Sequence, residues 1–127
     1  MSTAASQGQR GLDLFLRPTA FWLWCLPGCA AIAAAVLKGN HRLSLTTTGI
    51  IWTLATLWIG VGCAWNALRC GRIHCIIHGT MLPLLALVGI LNVMGVLAIS
   101  WNIYWAAFGA ILIAGFIPEI LGKRHYI

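Results

Sequence analysis

The chain has 127 residues, 61% of them apolar and only 8% charged, and its mean hydropathy is +0.91. That balance excludes a soluble globule, whose apolar share is about half. Spans of ~20 residues each would use most of the length and leave no room for a separate soluble catalytic domain. Eight Lys and Arg stand against only Asp13 and Glu119, giving +6. They sit singly or in pairs between apolar runs with no basic stripe of interleaved aromatics, so nucleic acid is excluded as a partner.

In chain order, residues 1–18 read as a polar arm carrying Arg10 and Arg17, with Leu12, Leu14, Phe15 and Leu16 able to lie on a membrane surface. The first apolar run, about residues 20–37, contains Cys25-Leu26-Pro27-Gly28-Cys29, and the proline predicts a kink there. A cleaved signal is the competing reading of this run. The apolar stretch continues past Cys29 and proline is a poor neighbour for a cut site, which favours a retained helix. Lys38 to Arg42 form a polar turn, after which Ser44 and Thr46 to Thr48 offer N-caps for a second span at about 48–67. Trp52, Trp58 and Trp65 lie along it, Trp65 at the level where indoles favour headgroups.

A polar stretch, 68–79, is expected to be a loop, followed by a third span at about 80–99 that tolerates Pro83 near its start. Asn92 falls near the middle of that span and is costly to expose to lipid, so it should face another helix or a polar path. Ser100-Trp101-Asn102 reads as a tight turn into a fourth span at about 103–117. There Ala106, Ala110 and Ala114 recur every four residues, a face on which another helix can approach closely. Residues 123–127 form a tail. The expected fold is therefore an all-α integral membrane protein, a four-helix bundle with antiparallel neighbours and its transmembrane domain at 19–122. Four spans put Arg10, Arg17, Arg69, Arg72, Lys123 and Arg124 on one side and Lys38 and Arg42 on the other. The excess of basic residues predicts both termini in the cytoplasm, in the cytoplasmic membrane.

The scarce polar residues concentrate in one stretch, Asn66 to His78. Cys70, His74 and His78 recur every four residues, one helical face, and Cys75 is adjacent to His74. The predicted orientation places Cys25, Cys29 and Cys63 on the same reducing side, where structural disulfides are not expected. Together these seven residues form a candidate soft-ligand zone for a Zn, Cu or Hg class ion. Cys70, His74 and Cys75 would be the receiving site and the other cysteines its approach. The opposing reading makes Cys25, Cys29 and Cys63 apolar fillers and the histidines headgroup neighbours. No Cys-x-x-Cys pair is present, the stronger signal for such chemistry. Catalysis finds no support, since the two carboxylates stand near opposite ends of the chain. Arg69 and Arg72 are expected to orient the chain and meet phosphates, or to pair with Glu119. Lys123, four residues beyond Glu119, is the local competitor.

The motif Asn66-x-x-Arg69-Cys70-Gly71-Arg72-x-His74-Cys75, a proline near the next helix, and Pro118-Glu119-x-x-Gly122-Lys123 resemble a family of small, uncharacterised integral membrane proteins of bacteria and archaea. The resemblance covers residues 50–124 and implies a membrane fold without an assigned activity. The family pattern continues into an aromatic and Thr-Gly-Pro, whereas this chain has Ile76-Ile77-His78-Gly79-Thr80 and delays its proline to Pro83. A looser similarity links the cysteines to the mercuric-ion transport proteins. Two functions follow as expectations. One is a small membrane protein that binds or transports a thiophilic metal ion. The other is a non-catalytic adaptor or accessory subunit, in a homo-oligomer or with a membrane partner protein, whose Cys-Gly-Arg loop docks that partner.

Overall fold

A computed structural model describes residues 21–121, all helix and connecting turns, with no strand among them. The arm and tail, with Arg10, Arg17, Lys123 and Arg124, lie outside the described residues. A π-helical turn, Phe21–Cys25, leads into α1 (Leu26–Gly39), followed by α2 (Leu45–Cys70), α3 (Ile73–Val93) and α4 (Trp101–Ile120). All four helical segments are long and apolar enough to cross a membrane, so this is a multi-pass, all-α bundle. The break expected at Pro27 is a change of helix type: proline lacks the N–H of a regular turn and sits where α1 begins.

Local chemistry sets the helix ends. Ser44 caps α2, its hydroxyl accepting the Thr47 N–H at 3.1 Å. At the other end Gly71 adopts φ 64°, a left-handed conformation that costs glycine little, and its N–H donates to Ala67 O at 2.8 Å. Only Gly71 and Arg72 separate α2 from α3. The stretch 68–79, expected to be a loop, is therefore mostly helix, and His74, Cys75 and His78 belong to α3. Its polar side chains lowered the hydropathy without breaking the backbone pattern.

At its far end α3 stops at Val93, short of the expected 99. Gly95 turns the chain at φ 76°, and Asn92 holds the turn from both sides. Its Nδ2 donates to Ile99 O and its Oδ1 accepts Ile99 N–H, each at 2.9 Å. Asn92 thus serves the α3–α4 connection at a helix end, and it lines a pocket there together with Lys38, Leu45 and Trp101. Hydropathy cannot distinguish an apolar turn from an apolar helix when one side chain satisfies the backbone of both strands of the turn.

The core lies where α2, α3 and α4 meet: Ile59, Cys63 and Leu82 are buried, with Trp24, Phe108, Ile111 and Leu112 packed around them. Trp52 ties α1 to α2, its indole N–H donating to Ala31 O at 3.0 Å. At Gly79 α3 approaches the main chain of α2 closely. A methyl group there would lie 2.6 Å from Ala64 Cα and 2.7 Å from Ala64 N.

Among the described residues nothing packs on the small-residue face of α4. Ala106, Ala110 and Ala114 are exposed and Gly109 has open space beside it, because α4 turns Tyr104 and Gly115 inward instead. Ala110→Leu is accordingly expected to change thermal stability in detergent by less than ~0.5 kcal/mol, as at other surface positions. A loss beyond about 1 kcal/mol, the scale of overpacking, would show that a helix packs on this face.

Candidate functional site

Where α2 ends and α3 begins, a continuous hydrogen-bonded chain crosses the interior. Asn66, buried in the last turns of α2, donates from Nδ2 to Cys75 Sγ at 3.2 Å. Cys75 Sγ lies 3.2 Å from His74 Nε2, and His74 Nδ1 lies 2.8 Å from Glu119 Oε1 on α4. One tautomer satisfies every partner. The carboxylate accepts the Nδ1 proton, which leaves Nε2 as the acceptor for the Cys75 thiol proton. Cys75 and His74 are essentially inaccessible, at 0% and 3%, while the Glu119 side chain keeps 29% of its surface open.

The helical framework explains why these residues meet. His74 and Cys75 occupy the first turn of α3, so negative charge formed on the sulfur by loss of its proton would sit at the positive end of the helix dipole. Along α4, Leu112, Gly115, Phe116 and Glu119 recur at helical spacing and form the opposite wall. Phe116 stacks on the His74 ring (5.2 Å between centroids, 24° between planes) and meets the His78 ring edge-on at 5.1 Å. His78 Nε2 donates to Leu112 O at 3.2 Å. Its ring occupies the space a side chain at Gly115 would need. A buried Nδ1 of His78 finds no partner among the described residues.

The other candidate residues are placed differently. Cys25 and Cys29 are exposed on the first helix, and Cys63 sits in the apolar core beside Ile59 and Leu82. These thiols do not gather around Cys75. Cys70 ends α2, but its side chain lies outside what is described. Gly71 ends the helix after Cys70, so Cys70 belongs to α2 while His74 and His78 belong to α3. Glu119, expected to pair with an arginine or Lys123, reaches His74 instead. Arg69 is exposed and Arg72 half-buried at the same end of the bundle. Asn92 stands at the opposite end, in the α3–α4 turn.

Among the described residues, no group of three or more His, Cys, Asp or Glu is arranged to hold a metal ion. The geometry gives the reason: the two His74 nitrogens point to opposite sides of the ring, one to the thiol and one to the carboxylate. What converges is a pair, Cys75 Sγ and His74 Nε2, with Glu119 behind the imidazole. Sequence reasoning missed Phe116 and Gly115. Their signal was present in the spacing from Glu119 back along α4. The chain matches no protein-family model, no curated protein and no solved structure.

Proposed function

We propose that this multi-pass membrane protein binds a thiophilic metal ion between Cys75 Sγ and His74 Nε2, at the cytoplasmic side of the cytoplasmic membrane, as a step in handling or moving that ion. One observation carries the reading: Glu119 holds the Nδ1 side of an imidazole whose Nε2 faces a thiol. A carboxylate placed behind a histidine in this way is the usual support of a metal-bound imidazole, fixing its tautomer and raising its basicity. On binding, the Cys75 thiol releases its proton, the sulfur and Nε2 each donate a lone pair, and the Nδ1 proton stays with Glu119. Asn66 then donates its hydrogen bond to the bound sulfur. Two donors of this kind suit a soft ion that accepts low coordination, of the Cu(I) or Hg(II) class, better than Zn(II), which takes four ligands. Cys70, three residues before the start of α3, is the expected additional thiolate.

The test is Cu(I) stoichiometry of purified protein under reducing conditions, measured by elemental analysis. Wild type and a Cys25→Ser/Cys29→Ser variant are expected to retain the ion, and Cys75→Ser to lose it with its helical content unchanged. A wild type that binds no Cu(I) or Hg(II) would overturn the reading and favour the adaptor, whose functional residues would be Arg69 and Arg72. Loss of the ion only from the Cys25→Ser/Cys29→Ser variant would move the site to the first helix.

A further inference from the structure

The first helix is held to the bundle along one side. It packs on α2, with no comparable packing against α4, and the space between α1 and α4 is a groove of about 530 Å³. Ala31 and Ala35 line one wall, Trp105, Phe108 and Leu112 the other, and Trp52 the floor. The floor is fixed by the Trp52 indole bond to Ala31 O. The groove runs along helices that are apolar enough to lie in hydrocarbon.

Its end is charged. Ala31, Ala35 and Lys38 recur at four- and three-residue spacing, one face of α1, so the lysine continues the wall that the alanines form. Lys38 Nζ stands 5.7 Å from the Trp52 ring centroid, above the same floor. Arg42 follows in the α1–α2 turn, exposed. The one carboxylate among the described residues, Glu119, is at the opposite end of the bundle, bonded to His74. Among the described residues nothing acidic therefore offsets the positive field at this mouth.

An apolar groove with an ammonium near the tryptophan at its floor fits a ligand with a long hydrocarbon tail and a negative head. We propose that the groove binds an anionic phospholipid, its acyl chain along Ala31, Ala35, Trp105 and Phe108 and its phosphate on Lys38. This site is separate from Cys75 and does not rest on the metal reading. Small alanine side chains on α1 leave the tail its space, and the aromatic wall gives it a rigid surface with little entropy left to lose.

Native mass spectrometry of the full chain in neutral detergent, titrated with phosphatidylglycerol or phosphatidylcholine, tests the proposal. Wild type is expected to retain phosphatidylglycerol in preference to phosphatidylcholine. Lys38→Ala should reduce that preference about five-fold, the worth of one lysine at a lipid surface. Ala35→Trp, at an exposed position, should fill the groove and lose both lipids. An undiminished preference in Lys38→Ala, or unchanged lipid retention in Ala35→Trp, would overturn the proposal. So would a dimer that excludes lipid and dissociates in Ala35→Trp, since the groove would then seat a second copy. Circular dichroism of both variants checks that the helices are intact, and Lys38→Ala alone decides the matter if Ala35→Trp is poorly folded.

Discussion

Gly79→Ala is expected to destabilise the bundle by about 3 kcal/mol, the upper part of the usual range for overpacking. The added methyl group would lie 2.6 Å from Ala64 Cα and 2.7 Å from Ala64 N. Both are main-chain atoms, so no side chain can rotate out of the way, and α2 and α3 must separate. Close approach of this kind is what small residues provide where helices pack in lipid. The same displacement reaches the site, because Gly79 lies one turn beyond Cys75 and Ala64 stands two residues from Asn66. Stretching the 3.2 Å bond from Asn66 to Cys75 should loosen any ion held there. Equilibrium unfolding in mixed micelles, followed by tryptophan fluorescence, measures the stability. Gly109→Ala is the control, since open space surrounds that position. Equal stability of the two variants would show that α2 and α3 are not in close contact at Gly79.

Glu119→Gln is expected to weaken Cu(I) affinity about 10- to 100-fold, the usual effect of losing a partner behind a metal-bound imidazole. Glutamine keeps an oxygen acceptor at the 2.8 Å contact with Nδ1 but loses the charge that raises the basicity of Nε2. Glu119→Ala should cost more, because the Nδ1–H then loses its charged acceptor, a penalty of about 1–3 kcal/mol in stability. Competition with a Cu(I) chelator of known affinity gives the first number and micelle unfolding the second. Equal affinity in wild type and Glu119→Gln would mean that the carboxylate only packs against the ring. The proposed role of His74 as a metal ligand would then lose its main support.

The four helices were legible because runs of apolar residues near the thickness of a bilayer have few other uses. Their limits were less so. Hydropathy placed the start of α3 at about residue 80, since His74, Cys75 and His78 read as loop, and it carried the helix through Val96–Ile99, which the Asn92 side chain holds as a turn. The polar cluster stood out in the sequence as the place where unusual residues gather, and within it His74 and Cys75 face one another. Its third member was not legible. Glu119 is 45 residues from His74 in sequence, and nearby arginines and a lysine offered more obvious partners for a carboxylate. The period of four in Ala106, Ala110 and Ala114 was real. A period marks a face without saying which way it turns, and here the bulkier Tyr104 and Phe108 side took the interior. The five cysteines looked like one group only because the helices bring several of them to similar depths. Position around each helix then separates them, Cys25 and Cys29 outward and Cys63 inward.

The pairing of His74 with Glu119 also sets an order of events during biogenesis. Chains are made from the N-terminus, so Asn66, His74 and Cys75 are synthesised while the carboxylate is still to come. Until α4 turns back at Ser100 and docks, the imidazole lacks the group that fixes its tautomer, and Phe116 has not covered its face. An intermediate with only three helices inserted therefore lacks the carboxylate behind His74 and the ring that stacks on it. Any ion taken up at the proposed site would therefore be held with the support of Glu119 only after α4 has docked.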